Sequence, residues 1–271
     1  MLSILNSISS LSAETALSST QASLQKALTQ LSTGLKINSG SDDAAGLSIA
    51  NGLMANISAL NQSSQNASDG IGLLQTADGA LSQVTSLLDR AVTLATEASN
   101  GGLSSTQSTA LDTEYQSILT EIGNIGGTTN FNGTAVFGTT ASVFTSDGTA
   151  GGSNTTSTVI GALTTTALSL KGTSLTSTAT AESALTAITG AVSTVAANRG
   201  TIGAAVNQLN ADAGVQSTEV TNLTSAQDNV ENADIGKTVA AMTQYNVLQQ
   251  TGMAALSQSN QALQSVLKLL Q

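Results

Sequence analysis

The sequence contains no histidine, cysteine, proline or tryptophan. Without histidine and cysteine, the usual ligands of zinc, copper and haem iron are missing, and so are Ser–His and Cys–His nucleophile pairs. Carboxylate-only sites for Mg²⁺, Ca²⁺ or glycoside hydrolysis are compatible with this composition. Proline breaks helix interiors at a cost of about 3 kcal/mol, so its absence favours long helices.

Charge is scarce and mostly negative. The 271 residues include 7 Lys and Arg against 17 Asp and Glu, which gives a formal net charge of −10. Nucleic acids and anionic membranes attract basic surfaces, so we expect neither as a partner. No apolar run approaches the roughly 18 residues of a membrane span. The first residues also lack the basic start and apolar stretch of a cleavable signal peptide, so we expect any export to use another route.

Apolar residues recur every seven positions in two long stretches, a pattern typical of coiled-coil packing. The two ladders are equally long and lie near opposite ends of the chain, so we expect them to pair as antiparallel helices. Gln216 is then a polar residue that fixes their register. Packing of each ladder inside an ordinary bundle is the alternative. The first ladder is Leu53, Leu60, Ala67, Leu74, Leu81, Leu88 and Ala95; the second is Ile188, Val195, Ile202, Leu209, Gln216, Leu223 and Val230, beside a companion row of Leu185, Val192, Val206, Ala213 and Val220.

Both ends of the chain are predicted to form long amphipathic helices without a charged face. Burying one large aliphatic side chain contributes about 1.5–3 kcal/mol, so these helices have a strong tendency to associate. We therefore predict that the two ends need partners. The residues predicted to form the seam are Leu2, Leu5, Ile8, Leu17, Leu24, Leu28, Leu31, Leu35, Met242, Leu256, Leu263, Leu267 and Leu270.

The centre of the chain differs in composition and in predicted secondary structure. A shorter helix with Tyr115 and Ile122 on one face is expected to end at Gly126-Gly127. Ser- and Thr-rich segments then predict short strands over 134–137, 141–145, 157–160 and 167–170, with turns at Asn132-Gly133 and Asp147-Gly148. The predicted fold is mainly α, with long antiparallel coiled-coil helices from both chain ends and a small central β-rich insert.

Asp42 and Asp43 form an adjacent acidic pair that could seed a cation site. They directly precede a predicted helix, however, and carboxylates at a helix N-terminus contribute about 0.3–1 kcal/mol. We predict that both residues cap this helix. No other constellation supports catalysis, so we expect no catalytic residue, no metal and no cofactor. A carboxylate-dependent hydrolase in the central insert is the alternative.

Several long motifs resemble those of the bacterial flagellins. They include LSTGLKINSGSDDAAGLSIANGL at residues 31–53, SDGIGLLQTADGAL at 68–81 and NFNG at 130–133. The stretch from 229 to 270, NVENADIGKTVAAMTQYNVLQQTGMAALSQSNQALQSVLKLL, resembles the flagellin C-terminus. Together the similar regions cover nearly everything outside the Ser/Thr-rich centre.

The resemblance implies a non-enzymatic subunit that polymerises into a helical tube, the flagellar filament of swimming bacteria. It implies that 1–38 and 234–271 pair as terminal helices of an inner tube. It further implies that 39–136 and 171–233 form the coiled-coil domain of an outer tube, and that 137–170 is a surface insert. The alternatives are a hook–filament junction protein and a Ser/Thr-rich surface adhesin.

The resemblance also implies partners and an extracellular location. The partners are further copies of the chain, a flagellar export chaperone, and the filament cap and hook-associated proteins. Export would use the flagellar type III pathway. A surface containing Arg90, Leu94 and Glu114 is implied for assembly and for recognition by the vertebrate innate flagellin receptor. Candidate O-glycosylation sites are Thr139, Ser142, Ser146, Ser153 and Ser157.

Overall fold

A computed structural model of the chain describes residues 8–147 and 155–269, apart from the side chains of Ser9, Leu263 and residues 266–269. This part of the chain is mainly helical, as the sequence predicts. Two small antiparallel sheets, β1–β2 and β3–β4, lie in its central region. The elements are α1 (Ile8–Thr33), α2 (Ala44–Ala98), α3 (Ser105–Thr128), β1 (Asn130–Phe131), β2 (Thr134–Ala135), β3 (Thr139–Phe144), β4 (Thr155–Ile160), α4 (Thr178–Glu231) and α5 (Ile235–Leu269).

The chain divides into two compact units. The terminal unit comprises Met1–Ala55 and Asn222–Gln271, and the central unit comprises Asn56–Thr221. In the terminal unit α1 packs against α5. The Ser10 hydroxyl lies 2.9 Å from the Ser259 hydroxyl near one end of the pair, and the Ala233 amide donates to the Gly34 carbonyl at 2.8 Å near the other. The two helices are therefore antiparallel.

The central unit is built around one apolar cluster that contains most of both heptad ladders. Arg199 of α4 forms an ion pair with Asp78 of α2 at 2.8 Å. Leu60 and Gln216, farther towards the chain ends, line one pocket. Residue numbers rise along α2 as they fall along α4, which confirms the antiparallel pairing.

The second buried row of α4 differs from the prediction. The predicted companions Leu185, Val192 and Val206 are only half-buried. Three alanines on the other side of the ladder are buried instead: Ala184, Ala191 and Ala205. Small side chains allow helix axes to approach within the 8–10 Å typical of packed helices, so the alanines occupy the contact line.

The central segments follow the sequence in part. The predicted strand over 134–137 is shorter, Thr134–Ala135, and the predicted turn at Asp147-Gly148 lies partly outside the described residues. Asn132 and Gly133 have φ angles of 49° and 78°, as a two-residue type I′ hairpin turn requires. Strands β3 and β4 pair from Thr139 opposite Ile160 to Phe144 opposite Thr155. The predicted strand over 167–170 is wrong. The Leu168 and Leu170 amides donate to nearby carbonyls within residues 164–165, so this segment is a turn.

Candidate assembly surfaces

The terminal helices expose large apolar side chains. Pairing with one other helix covers a single stripe on each, so the remaining apolar positions stay in solvent. Ile8 is 77% exposed, Leu11 is 59% exposed and Val247 is 54% exposed. Single exposed apolar residues are ordinary, but this many on one helix pair indicate an interaction surface. The exposed terminal set consists of Ile8, Leu11, Leu28, Ile235, Val239, Val247, Leu248 and Met253.

The predicted seam residues fall into two groups in this unit. Ile8 and Leu28 belong to the exposed terminal set. Leu17 lies against Gly252 of α5, in the contact between the paired helices. The half-buried group is Leu17, Leu24, Leu31, Leu35, Met242 and Leu256. Leu2, Leu5 and Leu270 lie outside the described residues, as do the side chains of Leu263 and Leu267.

Some exposed apolar residues were not among the predicted seam residues. Val239 and Met253 of α5 lie beside the heptad row of Met242 and Leu256, whereas Val247 and Leu248 lie on the other side of the helix. Stepping by seven follows only one row, whereas a helix that contacts several neighbours needs apolar residues around more of its circumference. The corresponding signal in the sequence is the presence of large apolar residues on more than one side of α5.

Arg90 and Glu114 form a solvent-accessible ion pair between α2 and α3. Arg90 Nη2 lies 2.7 Å from Glu114 Oε1, and Arg90 Nε donates to the same oxygen at 2.8 Å. The two side chains are 53% and 46% exposed. An exposed pair of this kind stabilises a fold by at most about 1 kcal/mol. Because both side chains remain accessible, the ion pair presents one positive and one negative group at the surface.

Leu94 does not belong to that surface. It lies one helical turn after Arg90, but its side chain is completely buried in the core cluster of the central unit. An i, i+4 pair lies on adjacent turns of one side of a helix, yet the neighbouring elements decide how far each member is covered. The prediction that places Leu94 on a contact surface is therefore corrected: it supports the surface from within.

Asp42 and Asp43 have different roles. The Gly46 amide donates to Asp43 Oδ1 at 2.9 Å, so Asp43 caps the start of α2. Asp42 instead forms an ion pair with Lys26 of α1 at 2.7 Å and accepts hydrogen bonds from the Asn38 and Ser39 amides. The prediction that both residues cap the helix is correct for Asp43 and wrong for Asp42, because Asp42 points back to the preceding loop.

Asp42 has the clearest electrostatic perturbation in the terminal unit. Its hydrogen bond with Lys26, followed by the Asn38 amide bond, lowers the pKa of its carboxyl group from 3.8 to about 2. A carboxylate that accepts several hydrogen bonds and faces a cation is favoured in its charged form. The interaction joins α1 to the loop before α2.

The central hydroxyl residues differ in accessibility. Ser142 and Ser157 are exposed on β3 and β4, with their oxygens 3.2 Å apart. Thr139 is half-buried and donates to the Val136 carbonyl at 2.8 Å. Ser146 is buried, so the prediction of a glycan there is corrected. Ser153 lies outside the described residues.

Within residues 8–147 and 155–269, no group of three or more acidic, cysteine or histidine side chains is placed to hold a metal ion. Every described helix is too short or too polar to span a lipid bilayer.

Comparison with known families gives two matches along the chain. The family model of the bacterial flagellin N-terminal helical region matches residues 4–142. The model of the bacterial flagellin C-terminal helical region matches residues 185–270. The unmatched stretch between them includes β4 and the following turn.

Individual relatives cover almost the whole chain. Flagellin of Halalkalibacterium halodurans is 34% identical over 251 residues, which is 91% of each chain. The flagellar filament 33 kDa core protein of Treponema phagedenis is 30% identical over 292 residues and 98% of each chain. The crystal structure of Bacillus cereus flagellin is similar with a TM-score of 0.51 and 32% identity, over 60% of this chain and 94% of that one.

Proposed function

Because this chain belongs to the bacterial flagellin family and is a non-enzymatic structural subunit of the flagellar filament, we propose which part of the filament each segment forms. Residues 1–38 and 234–271 form the inner tube of the filament, and 39–136 with 171–233 form the outer tube. Residues 137–170 form the insert that faces solvent. The protein is a homopolymer subunit of an extracellular appendage used for swimming.

The exposed terminal set supports this proposal. Eight large apolar side chains of α1 and α5 remain substantially exposed after the two helices have paired. Each contributes about 1.5–3 kcal/mol when it is fully buried, and neighbouring copies in a tube would bury it. Ordering the chain ends has an entropic cost, which is offset when several neighbours cover them together.

Removal of either chain end tests the proposal. We expect full-length protein added to filament seeds to elongate them, and proteins lacking residues 1–35 or 236–271 to leave the seeds unchanged. Pelleting and electron microscopy measure elongation. The central unit, Asn56–Thr221, has its own apolar cluster. Its helical circular dichroism and cooperative unfolding should therefore persist in both truncated proteins. Normal filaments from either one would contradict the proposal.

Arg90 and Glu114 are proposed as a second contact surface between subunits, and as the part of the chain that an innate flagellin receptor would meet. Their exposure and fixed geometry support this role. In the same elongation assay, Arg90→Ala and Glu114→Ala should shorten filaments, whereas Glu97→Gln, which neutralises another exposed acid of α2, should not. Unchanged filament length and motility in both alanine variants would count against the surface.

The remaining partners are proposed from family membership together with the exposed terminal set. A cytoplasmic export chaperone would cover the exposed side chains of α5, including Val247, Leu248 and Met253, before secretion through the flagellar type III pathway. Filament cap and hook-associated proteins would meet the growing and proximal ends of the polymer. Ser142 and Ser157 are the candidate glycosylation sites whose side chains are exposed.

A further inference from the structure

The central unit contains a pocket of about 220 Å³ whose wall is partly acidic and partly apolar. Leu60 of α2 lies on one side and α4 on the other. The segment that follows β3 contributes the remaining wall. We call this site the Gln216 pocket; its lining includes Leu60, Asp147, Asp212, Val215, Gln216 and Glu219.

Gln216 has a hydrogen-bonding requirement that the subunit does not meet. Its side chain is 95% buried, since only 5% of its surface is exposed. Among the described residues, Gln216 Oε1 is the buried side-chain atom without a hydrogen-bond partner. Leaving such an acceptor unsatisfied costs about 1–3 kcal/mol, and native proteins keep few of them. A hydrogen-bond donor that enters the pocket from outside the subunit would satisfy this acceptor.

The wall of the pocket selects a particular kind of donor. Asp147, Asp212 and Glu219 are among the residues that line the pocket, and their negative charge favours a cation. Val215, which is 58% exposed, adds apolar surface, which a bare ion cannot use. A lysine side chain has an apolar four-carbon stem and three donors at its charged end, so it matches both parts of the wall.

Lys171 is the lysine in this unit that suits the pocket. Residues 56–221 carry eleven carboxylates and three basic residues. Arg90 forms an ion pair with Glu114, and Arg199 forms one with Asp78. Lys171 is exposed and, among the described residues, has no ion pair. Its amide donates to the Thr165 carbonyl at 3.1 Å, so the backbone that carries it is held in place.

Lys171 cannot reach the pocket of its own subunit. The adjacent Thr173 bonds to Tyr115 and Gln116 of α3, and α3 is joined to α2 at Arg90. Lys171 therefore lies near the level of residue 90, about 30 residues along α2 from Leu60. At 1.5 Å per residue this is roughly 45 Å. The central unit thus has a cation near one end and an acidic pocket near the other. Two copies can join these ends in a head-to-tail contact, and repetition of that contact builds an open filament.

We propose that the ammonium group of Lys171 in one copy binds in the Gln216 pocket of a second copy. It donates to Gln216 Oε1 and lies among the carboxylates of Asp147, Asp212 and Glu219. Val215 contacts its alkyl stem. The proposal rests on the filament role of the protein and adds a specific contact that offsets repulsion between acidic subunits.

Zero-length cross-linking of wild-type filaments tests the contact directly. Filaments are grown from an equal mixture of ¹⁴N- and ¹⁵N-labelled full-length protein and treated with a carbodiimide, which joins an amine to a carboxylate at contact distance. We expect a peptide that links Lys171 to Asp147, Asp212 or Glu219 and contains one chain of each isotope, in filaments but not in monomers. If filaments form and this mixed linkage is absent, the contact is wrong while the filament role stands.

Substitutions give an independent readout. Lys171→Gln and Glu219→Lys should each raise the critical concentration for elongation several-fold. Lys171→Arg keeps the positive charge and should retain most of the contact. The double variant Lys171→Glu with Glu219→Lys exchanges the two charges and should restore assembly. Gln216→Leu distinguishes a contact from a folding role. It removes the unsatisfied acceptor, so monomer stability should be unchanged or higher while assembly weakens. Glu97→Gln is the control for loss of one acidic charge. Unchanged assembly of Lys171→Gln would overturn the proposal.

Discussion

At the scale of single residues, Gly126 shows how a close backbone approach determines a residue type. Gly126-Gly127 predicted a helix end, but α3 continues to Thr128. A Cβ atom on Gly126 would overlap the Leu163 carbonyl oxygen, whereas one on Gly127 would meet open space. Glycine is therefore required at position 126 because another segment of the chain passes against the helix there.

This difference predicts opposite effects for two neighbouring substitutions. Gly126→Ala should lower the free energy of unfolding by about 1–3 kcal/mol, since the backbone at Leu163 must move. Gly127→Ala should leave it unchanged or raise it by roughly 0.5–1 kcal/mol, because alanine loses less entropy in a helix. Denaturant unfolding followed by circular dichroism measures both. Equal effects would show that the close approach at Gly126 does not constrain the sequence.

The pKa of Asp42 gives a pH prediction. Hydrogen bonding to Lys26, then to the Asn38 amide, lowers the pKa of the folded carboxyl group from 3.8 to about 2. The contribution of this group to stability is therefore present above pH 3.8 and is lost as the pH falls towards 2. In a carboxyl NMR titration, we expect a midpoint near 2 for the wild type and a higher one for Lys26→Gln. Lys36→Gln is the matched control, and an unchanged midpoint in Lys26→Gln would refute the assignment.

At the scale of elements, α4 shows which apolar row becomes the contact line. Its sequence offers a row of larger residues, Leu185, Val192 and Val206, and a row of alanines on the other side of the ladder. The structure buries the alanines. Packing within the core cluster, which also contains residues of α2 and α3, fixes the rotation of α4, and close approach favours the smaller side chains.

The buried alanine row predicts sensitivity to added volume. Ala191 is 1% exposed, so Ala191→Leu should lower the free energy of unfolding by about 1–3 kcal/mol. Ala204→Leu makes the same change at an exposed site on the same helix and should shift stability by less than about 0.5 kcal/mol. Thermal unfolding of the monomers measures the difference. Equal melting temperatures would mean that α4 can rotate to accommodate the larger residue.

At the scale of the whole molecule, the two units use apolar residues for different purposes. In the central unit most of the large ones form an internal cluster, whereas on the paired helices α1 and α5 of the terminal unit eight large ones remain exposed. A folded unit with such a surface gains stability from its neighbours, so assembly and monomer folding respond to different positions.

One substitution made in each unit separates these effects. Val247→Thr, in the exposed terminal set, should raise the critical concentration for filament elongation several-fold and leave monomer unfolding unchanged. Val195→Thr, in the core of the central unit, should destabilise the monomer by about 1–3 kcal/mol because it buries a hydroxyl group. Sedimentation of filaments and unfolding of monomers provide the two measurements. A loss of monomer stability in Val247→Thr would show that this residue is part of the monomer core.

Several features could be predicted from sequence because they depend on local pattern. Heptad spacing predicted the long helices, the equal length of the ladders predicted their antiparallel pairing, and Asn132-Gly133 predicted a hairpin turn. The predicted strand over 167–170 failed because alternation of Leu168 and Leu170 with polar residues also fits a turn that buries both leucines. Long motifs near both chain ends carry the resemblance to the family, and such motifs depend on sequence alone.

Burial and pairing were decided by the tertiary structure. Sequence placed Arg90 and Leu94 together, but the neighbouring elements buried Leu94 and left Arg90 in solvent. Sequence placed Gln216 in an apolar ladder, but the fold left its oxygen without a partner in an acidic pocket. A repeat of seven fixes which side chains share a face of a helix. What covers that face depends on segments far away in the chain, because packing brings them together.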